Sequence, residues 1–166
     1  GNVGFLRSMV VRDIASLQGL LESVAEEDLR RAADLCAAAA CIYVVGQLRS
    51  EPLAELMRYL MTMLQRKVIF MDSSGGLSQE TAMTMGKCDV LVAIAFRHYA
   101  KEVVSIAEHA VKAGVPVLAI TDSPLSPLAK GAEVLFTVPE DEYTFSRSLA
   151  APVCLVQTIA TATAAR

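Results

Sequence analysis

Apolar residues recur at helical spacing from Arg7 to about Val24 (Val10, Val11, Ile14, Leu17, Leu20, Leu21, Val24), which predicts an amphipathic helix. A second helix is expected from Glu26 to about Ala40, with the small residues of its end allowing close packing. The pattern then changes. Cys41 opens a short apolar run, Ile42 to Val45, that reads as a buried strand; Gly46 permits a sharp turn, and Ser50 is expected to cap a helix starting near Glu51 and Pro52 and ending near Arg66. Strands are predicted again over Lys67–Met71, over the continuously apolar DVLVAIAF (Asp89–Phe96), over Val115–Thr121 and over Glu133–Val138. The Asp89 strand is too uniform to have one wet face, so it belongs in the centre of a sheet. Helices are expected from Ser78 to Met85, from the Lys101 region to before Gly114, briefly from Ser126 to Lys130, and from Tyr143 to Ala165. Pro139–Glu142 reads as a charged loop.

Such regular alternation of strand and helix implies an α/β fold: a three-layer αβα sandwich on a five-stranded parallel sheet. One domain over residues 1–166 is expected, with a helical lead-in (7–40), an αβα core (41–138) and a C-terminal helix (143–165). The last helix, rich in Ala, Thr and Val, looks too apolar to stand in water and is expected to pack on a second subunit.

Composition narrows the class. A chain of 166 residues that is 54% hydrophobic, with mean hydropathy +0.44, has ample material for one core. Its apolar runs are too short to span a bilayer and no signal-peptide pattern is present, so a cytoplasmic protein without membrane contact is expected. The net charge of −3 and pI near 5.4 give no broad footprint for nucleic acid. Cys36, Cys41, Cys88 and Cys154 lack metal-ligand or redox spacing and read as small buried hydrophobes; no metal site and no cofactor is expected. The glycines of a nucleotide-binding G-x-G-x-x-G are missing. The opening GNVGFL lacks an initiator methionine, which fits a piece of a longer protein.

Ligands of parallel α/β sheets sit outside the C-terminal strand ends, so the loops after Val45, Met71, Phe96 and Thr121 form one potential site. Backbone N–H groups at the start of the Glu51 helix, with the Ser50 hydroxyl and the Arg49 guanidinium beside them, suit a phosphate or carboxylate. Asp72 to Gly76 is a turn-rich loop able to approach the same ligand. Candidate bases are few: His98 in the third loop, and Glu51 and Glu102 near helix starts where acids often serve the dipole alone. Ser146, Arg147 and Ser148 come where the chain should re-approach this edge.

Gly46 to Ser50, the Asp89 strand with its loop, and AGVPVLAITDSPLSPLAKGAEVLF (Ala113–Phe136) together resemble the sugar isomerase (SIS) domain, most closely the effector domain of RpiR-type bacterial transcription regulators. The resemblance spans nearly the whole chain. It implies a flavodoxin-like five-stranded parallel sheet, a dimer or tetramer, and binding of phosphorylated sugars. It also implies that DNA is contacted only through a helix-turn-helix domain outside this sequence. The family's first ligand loop reads G-x-G-x-S; Gly46 and Ser50 match, while Leu48 stands at the second glycine. Its second loop reads S-x-S-G-x-T, where this chain has Ala95, Arg97, His98 and Ala100. With those hydroxyls gone, Arg49 and Arg97 could supply two guanidinium forks for an anion of different shape. The ligand-binding candidates are thus Gly46, Gln47, Arg49 and Ser50, then Ser73, then Arg97, His98, Tyr99 and Lys101, then Thr121 and Ser123. The expected ligand is a small anionic metabolite, a sugar phosphate or sugar acid. A non-enzymatic effector-sensing domain is the main expectation, against an aldose-ketose isomerase or a dimerisation module with a degenerate pocket.

Overall fold

The computed structural model describes residues 1–138 and 147–166. Its elements are α1 (Asn2–Ser23), α2 (Glu26–Ala38), β1 (Ile42–Gly46), α3 (Glu51–Met63), β2 (Val68–Phe70), α4 (Ser78–Ala82), β3 (Val90–Ile94), α5 (Lys101–Lys112), β4 (Val117–Thr121), β5 (Val134–Thr137) and α6 (Ala150–Ala164). The five strands form one sheet in the order β2-β1-β3-β4-β5, and every pairing is parallel. β3 is the central strand and all five of its residues are buried, as its unbroken apolar run requires.

Strand alternation divides the core in two. Ile42, Val44, Val90, Val92, Ile94, Leu118 and Ile120 face a layer built by α2, α3 and α6, where Cys36, Met57, Met61, Leu155 and Ile159 are buried. Tyr43, Val45, Leu91, Ala93 and Ala119 face the opposite layer, where Ala82 of α4 and Val103, Ile106 and Ala110 of α5 lie. The three-layer αβα sandwich is therefore observed as expected.

Several boundaries differ. α1 begins at Asn2, five residues before the predicted start, and runs through Gly4 without interruption. α4 is one short turn that ends at Ala82, and Ser126–Lys130 is a series of turns without a helix. There the Ser126 hydroxyl accepts from the Leu128 N–H at 3.1 Å, which is N-cap chemistry, but Gly131 ends the turn before a helix can propagate. Ser50 does not cap α3 through its side chain; it closes a 3₁₀ turn over Leu48–Ser50, its N–H donating to the Gln47 carbonyl at 3.0 Å. The predicted charged loop over 139–142 and the predicted helical residues 143–146, Ser146 among them, lie outside the described residues. Arg147–Leu149 is not helical, and the Ser148 hydroxyl accepts from the first helical N–H, at Ala150, at 3.1 Å.

Two expectations about surface are reversed. α6 is not an exposed oligomer helix: Ala151, Leu155, Val156, Ile159, Ala160 and Thr163 are buried, and the helix packs on α1, α2 and α3 of its own chain. α1 instead has no buried residue, and Val3, Phe5, Leu6, Val10, Ile14, Leu17 and Leu21 are all exposed on it. The reading of all four cysteines as buried also fails at Cys88, which is exposed in the turn before β3; Cys154 is half-buried.

Candidate functional site

The C-terminal ends of β1 and β3 lie side by side, with Gly46 in register with Ile94. Gly46 is required there for packing. A Cβ at this position would stand 2.9 Å from the Ser50 carbonyl oxygen and 3.1 Å from the Ala54 methyl, so the 3₁₀ turn and α3 can fold back on the strand end only over a glycine. Ser50 is thereby buried at the head of α3.

Contacts between loops then knit the edge together. The Arg49 guanidinium lies over the Phe96 ring, 5.0 Å from its centroid, so the cation from the β1 loop is held against the end of the β3 run. The Gln47 amide donates to the Glu102 carboxylate at 2.6 Å, tying the same β1 loop to the first turn of α5. Tyr99 donates its hydroxyl to Asp122 at 2.6 Å, tying the β3 loop to the β4 loop. Burial, followed by that bond to Asp122, raises the Tyr99 phenol above its ordinary value.

The backbone adds a feature that no residue pattern displayed. Among the described residues three non-glycine residues have left-handed φ: Leu48 at 56°, Gln65 at 61° and His98 at 67°. Gln65 follows the end of α3, where a left-handed residue commonly stops a helix. Leu48 and His98 stand where the family's two loops carry glycine. Both loops thus keep a glycine-like backbone while bearing side chains, and Leu48 holds its side chain 77% exposed.

The remaining predicted site residues divide clearly. Arg97, His98 and Lys101 are exposed at the same mouth. Ser73 is exposed in the 3₁₀ turn Ser73–Gly75 after β2, beside Asp72, whose carboxylate accepts from the Ser74 N–H at 2.9 Å and hydroxyl at 2.8 Å. Those bonds hold the Asp72 carboxyl below its usual range. Thr121 is wholly buried with its hydroxyl 2.7 Å from that of Ser126, and Ser123 accepts from the Leu125 N–H at 3.1 Å. These last two shape the β4 loop from within. Phe96, Glu102 and Asp122 join the site through the contacts above. Phe96 read only as the end of a strand and Asp122 only as a turn residue, because their partners lie 47 and 23 residues away in sequence.

A solvent-open cleft of about 510 Å³ lies at the opposite edge, against α2 and the turns before β3 and β4. Its arginines are taken up by the protein itself: Arg30 pairs with Glu27 and Asp34, and Arg31 with Glu133. None of the predicted site residues lines it. Among the described residues no cluster of His, Cys, Asp or Glu could hold a metal ion, and no helix is long and apolar enough to cross a membrane.

Comparison with known proteins adds three solved structures of the same fold. The sugar isomerase domain of an RpiR transcription factor from Sphaerobacter thermophilus superposes with a TM-score of 0.89 at 22% identity, covering 95% of this chain and 88% of that one. Vibrio vulnificus NanR, solved in complex with ManNAc-6P, gives 0.84 at 19% identity; 96% of this chain matches 61% of NanR. Phosphoheptose isomerase from Neisseria gonorrhoeae gives 0.79 at 18% identity over 98% of each chain. At such identities the likeness establishes the fold alone. No functionally curated protein matches the sequence significantly. The SIS domain family model, however, matches residues 37–163, from the end of α2 to the last turn of α6, and so the chain belongs to the SIS domain family.

Proposed function

We propose that this chain is the effector-sensing domain of an RpiR-type transcription regulator, binding a phosphorylated or carboxylated sugar derivative without turning it over. The observation that carries this reading is the placement of Arg49, fixed on Phe96 between the ends of the two central strands and adjoining the start of α3. Arginine is the residue type whose planar fork suits a phosphate or carboxylate at such an edge. Arg97 and Lys101 extend the positive charge along the mouth. The RpiR factor and the sugar-phosphate complex of NanR, both of this fold, support the same class of role and ligand. DNA contact in such a regulator falls to a helix-turn-helix domain outside this sequence, in the cytoplasm.

Two features weigh against catalysis. Isomerisation needs a base turned toward a substrate C–H, whereas Glu102 and Asp122 already accept short bonds from Gln47 and Tyr99, and Glu51 stands exposed at the head of α3. His98 stands exposed on the loop. The isomerase reading keeps one support of its own, the end-to-end match with phosphoheptose isomerase; aldose-ketose turnover with a panel of sugar phosphates decides between them.

The direct test is Arg97→Ala in a thermal-shift screen against sugar phosphates and sugar acids. The variant should remain folded and weaken the best ligand about tenfold or more, since charge-assisted bonds from arginine typically contribute on the order of 2 kcal/mol. Unchanged affinity removes Arg97 from the site, and silence of the unaltered domain across the panel leaves a pairing module whose pocket has lost its ligand.

A further inference from the structure

Helix α1 is held on the domain along its second half. There Leu20 packs against the core, Asp13 accepts the Ser148 hydroxyl at 2.5 Å, and Ser16 is half-buried. Along the first half the burial stops: every residue from Gly1 to Val11 is exposed. We infer that this first half of α1 is an arm that packs on a second copy of the chain, the two α1 helices lying antiparallel across a two-fold axis so that each copy covers the other's arm. The inference is independent of what binds at the C-terminal edge of the sheet.

The face that docks α1 on its own domain continues into the arm. Phe5, Met9, Ser16 and Leu20 follow one another at helical steps of four, seven and four, so Phe5 and Met9 stand on the side of the helix that Ser16 and Leu20 turn to the core. Both are exposed all the same. An isolated helix as short as the arm is marginal in water, and Gly4 with the β-branched Val3, Val10 and Val11 lowers its propensity further, so its helical form needs a packing partner. Two observations single out a second copy as that partner. The first is spacing. Turned end for end, the exposed stripe sets Val3 opposite Leu21, Leu6 opposite Leu17 and Val10 opposite Ile14, which is the self-complementarity that an isologous interface requires. The second is area. The six large apolar residues of the arm, from Val3 to Val11, are 47% to 72% exposed. They leave on the order of 600 Å² of apolar surface in water, the upper end of what a monomer shows in one patch. Reciprocal packing of two arms doubles this to about 1,200 Å², the size at which specific, stable interfaces begin.

The test joins sedimentation equilibrium to amide hydrogen exchange, each run at protein concentrations above and below the association midpoint. Phe5→Glu probes the arm, and Met83→Glu is the control: Met83 is equally exposed but follows α4, in the layer on the other face of the sheet. In the unaltered protein the amides of the arm should exchange slowly when assembled and fast on dilution, while those of β3 stay protected throughout. F5E should weaken self-association by at least about tenfold, since it puts an unpaired charge in place of a large apolar side chain. It should also leave the arm exchanging fast at both concentrations, with β3 still protected, and M83E should do neither. The inference is overturned by a monomer whose arm is already protected, by an assembled protein whose arm exchanges fast, by unaltered association of F5E, or by an equal loss in M83E. Association that survives F5E but is lost in Ile14→Glu confines the interface to the anchored half of α1 and removes the arm from it. A ligand screen that stays silent touches none of these outcomes.

Discussion

Leu48, at a φ of 56°, holds a backbone conformation that crowds its Cβ against the following carbonyl, and its exposed side chain recovers little by packing. Its substitution separates backbone from side chain. Leu48→Ala should leave stability nearly unchanged, whereas Leu48→Gly should raise it by up to about 1 kcal/mol, the relief of left-handed strain exceeding the greater unfolded-state freedom of glycine. Chemical denaturation of the two variants measures the difference; a Gly variant no more stable than the Ala variant shows that the loop carries no such strain. Histidine tolerates this region better than leucine, so His98 on the facing loop costs less. At this scale the sequence showed which side chains had replaced glycine and serine, and it singled out Arg49 and Arg97 as the arginines of the two loops. It did not show that the backbone keeps the glycine conformation, since φ at an exposed leucine is imposed by the strand end and turn on either side.

The fate of α6 shows how an element is misjudged from its own residues. Its Ala, Thr and Val content suggested a surface needing a partner subunit. Those small side chains instead let it lie close to α2, where Ala32, Ala33 and Cys36 are wholly buried. Burial pushes the Cys36 thiol up to about 12, against the opposing effect of the Thr163 hydroxyl. The neutral thiol is thus favoured by the fold: its contribution is whole below the ordinary thiol value of 9.0 and is lost as pH rises from there toward 12. Between pH 9 and pH 11 the unaltered domain should lose about 2 kcal/mol more stability than Cys36→Ala, in which that titration is absent. Denaturant titrations across this range provide the measurement, and parallel pH profiles would refute the assignment. At pH 8 a thiol reagent should modify exposed Cys88 in the native protein and reach Cys36 only after unfolding.

Across the whole molecule the unresolved demand is α1. Twenty-two residues of helix bury nothing completely, and Val3, Leu6, Val10, Ile14, Leu17 and Leu21 recur at steps of three and four along one stripe. Leu20 packs against the core and Asp13 accepts from Ser148 at 2.5 Å, so the helix is anchored from one side only. We place the proposed homo-oligomer seam on this stripe instead of on α6. Ile14→Glu should shift the self-association constant toward monomer by at least about tenfold, since each buried large apolar side chain contributes on the order of 2 kcal/mol and a buried unpaired charge costs more. Sedimentation equilibrium is the check, and a monomeric unaltered domain at micromolar concentration would dispose of the seam. The periodicities of three to four and of continuous apolar runs, read along the chain, determined the order of elements, the parallel sheet and the central place of β3, because each reflects which face of an element must leave water. Only the tertiary structure decided which apolar helix was already covered, that Leu48 and His98 take a glycine's conformation, and that Gln47, Tyr99 and Arg49 close on Glu102, Asp122 and Phe96. Those outcomes depend on contacts between residues distant in sequence, and no local pattern encodes the partner of a side chain that must cross from one loop to the next.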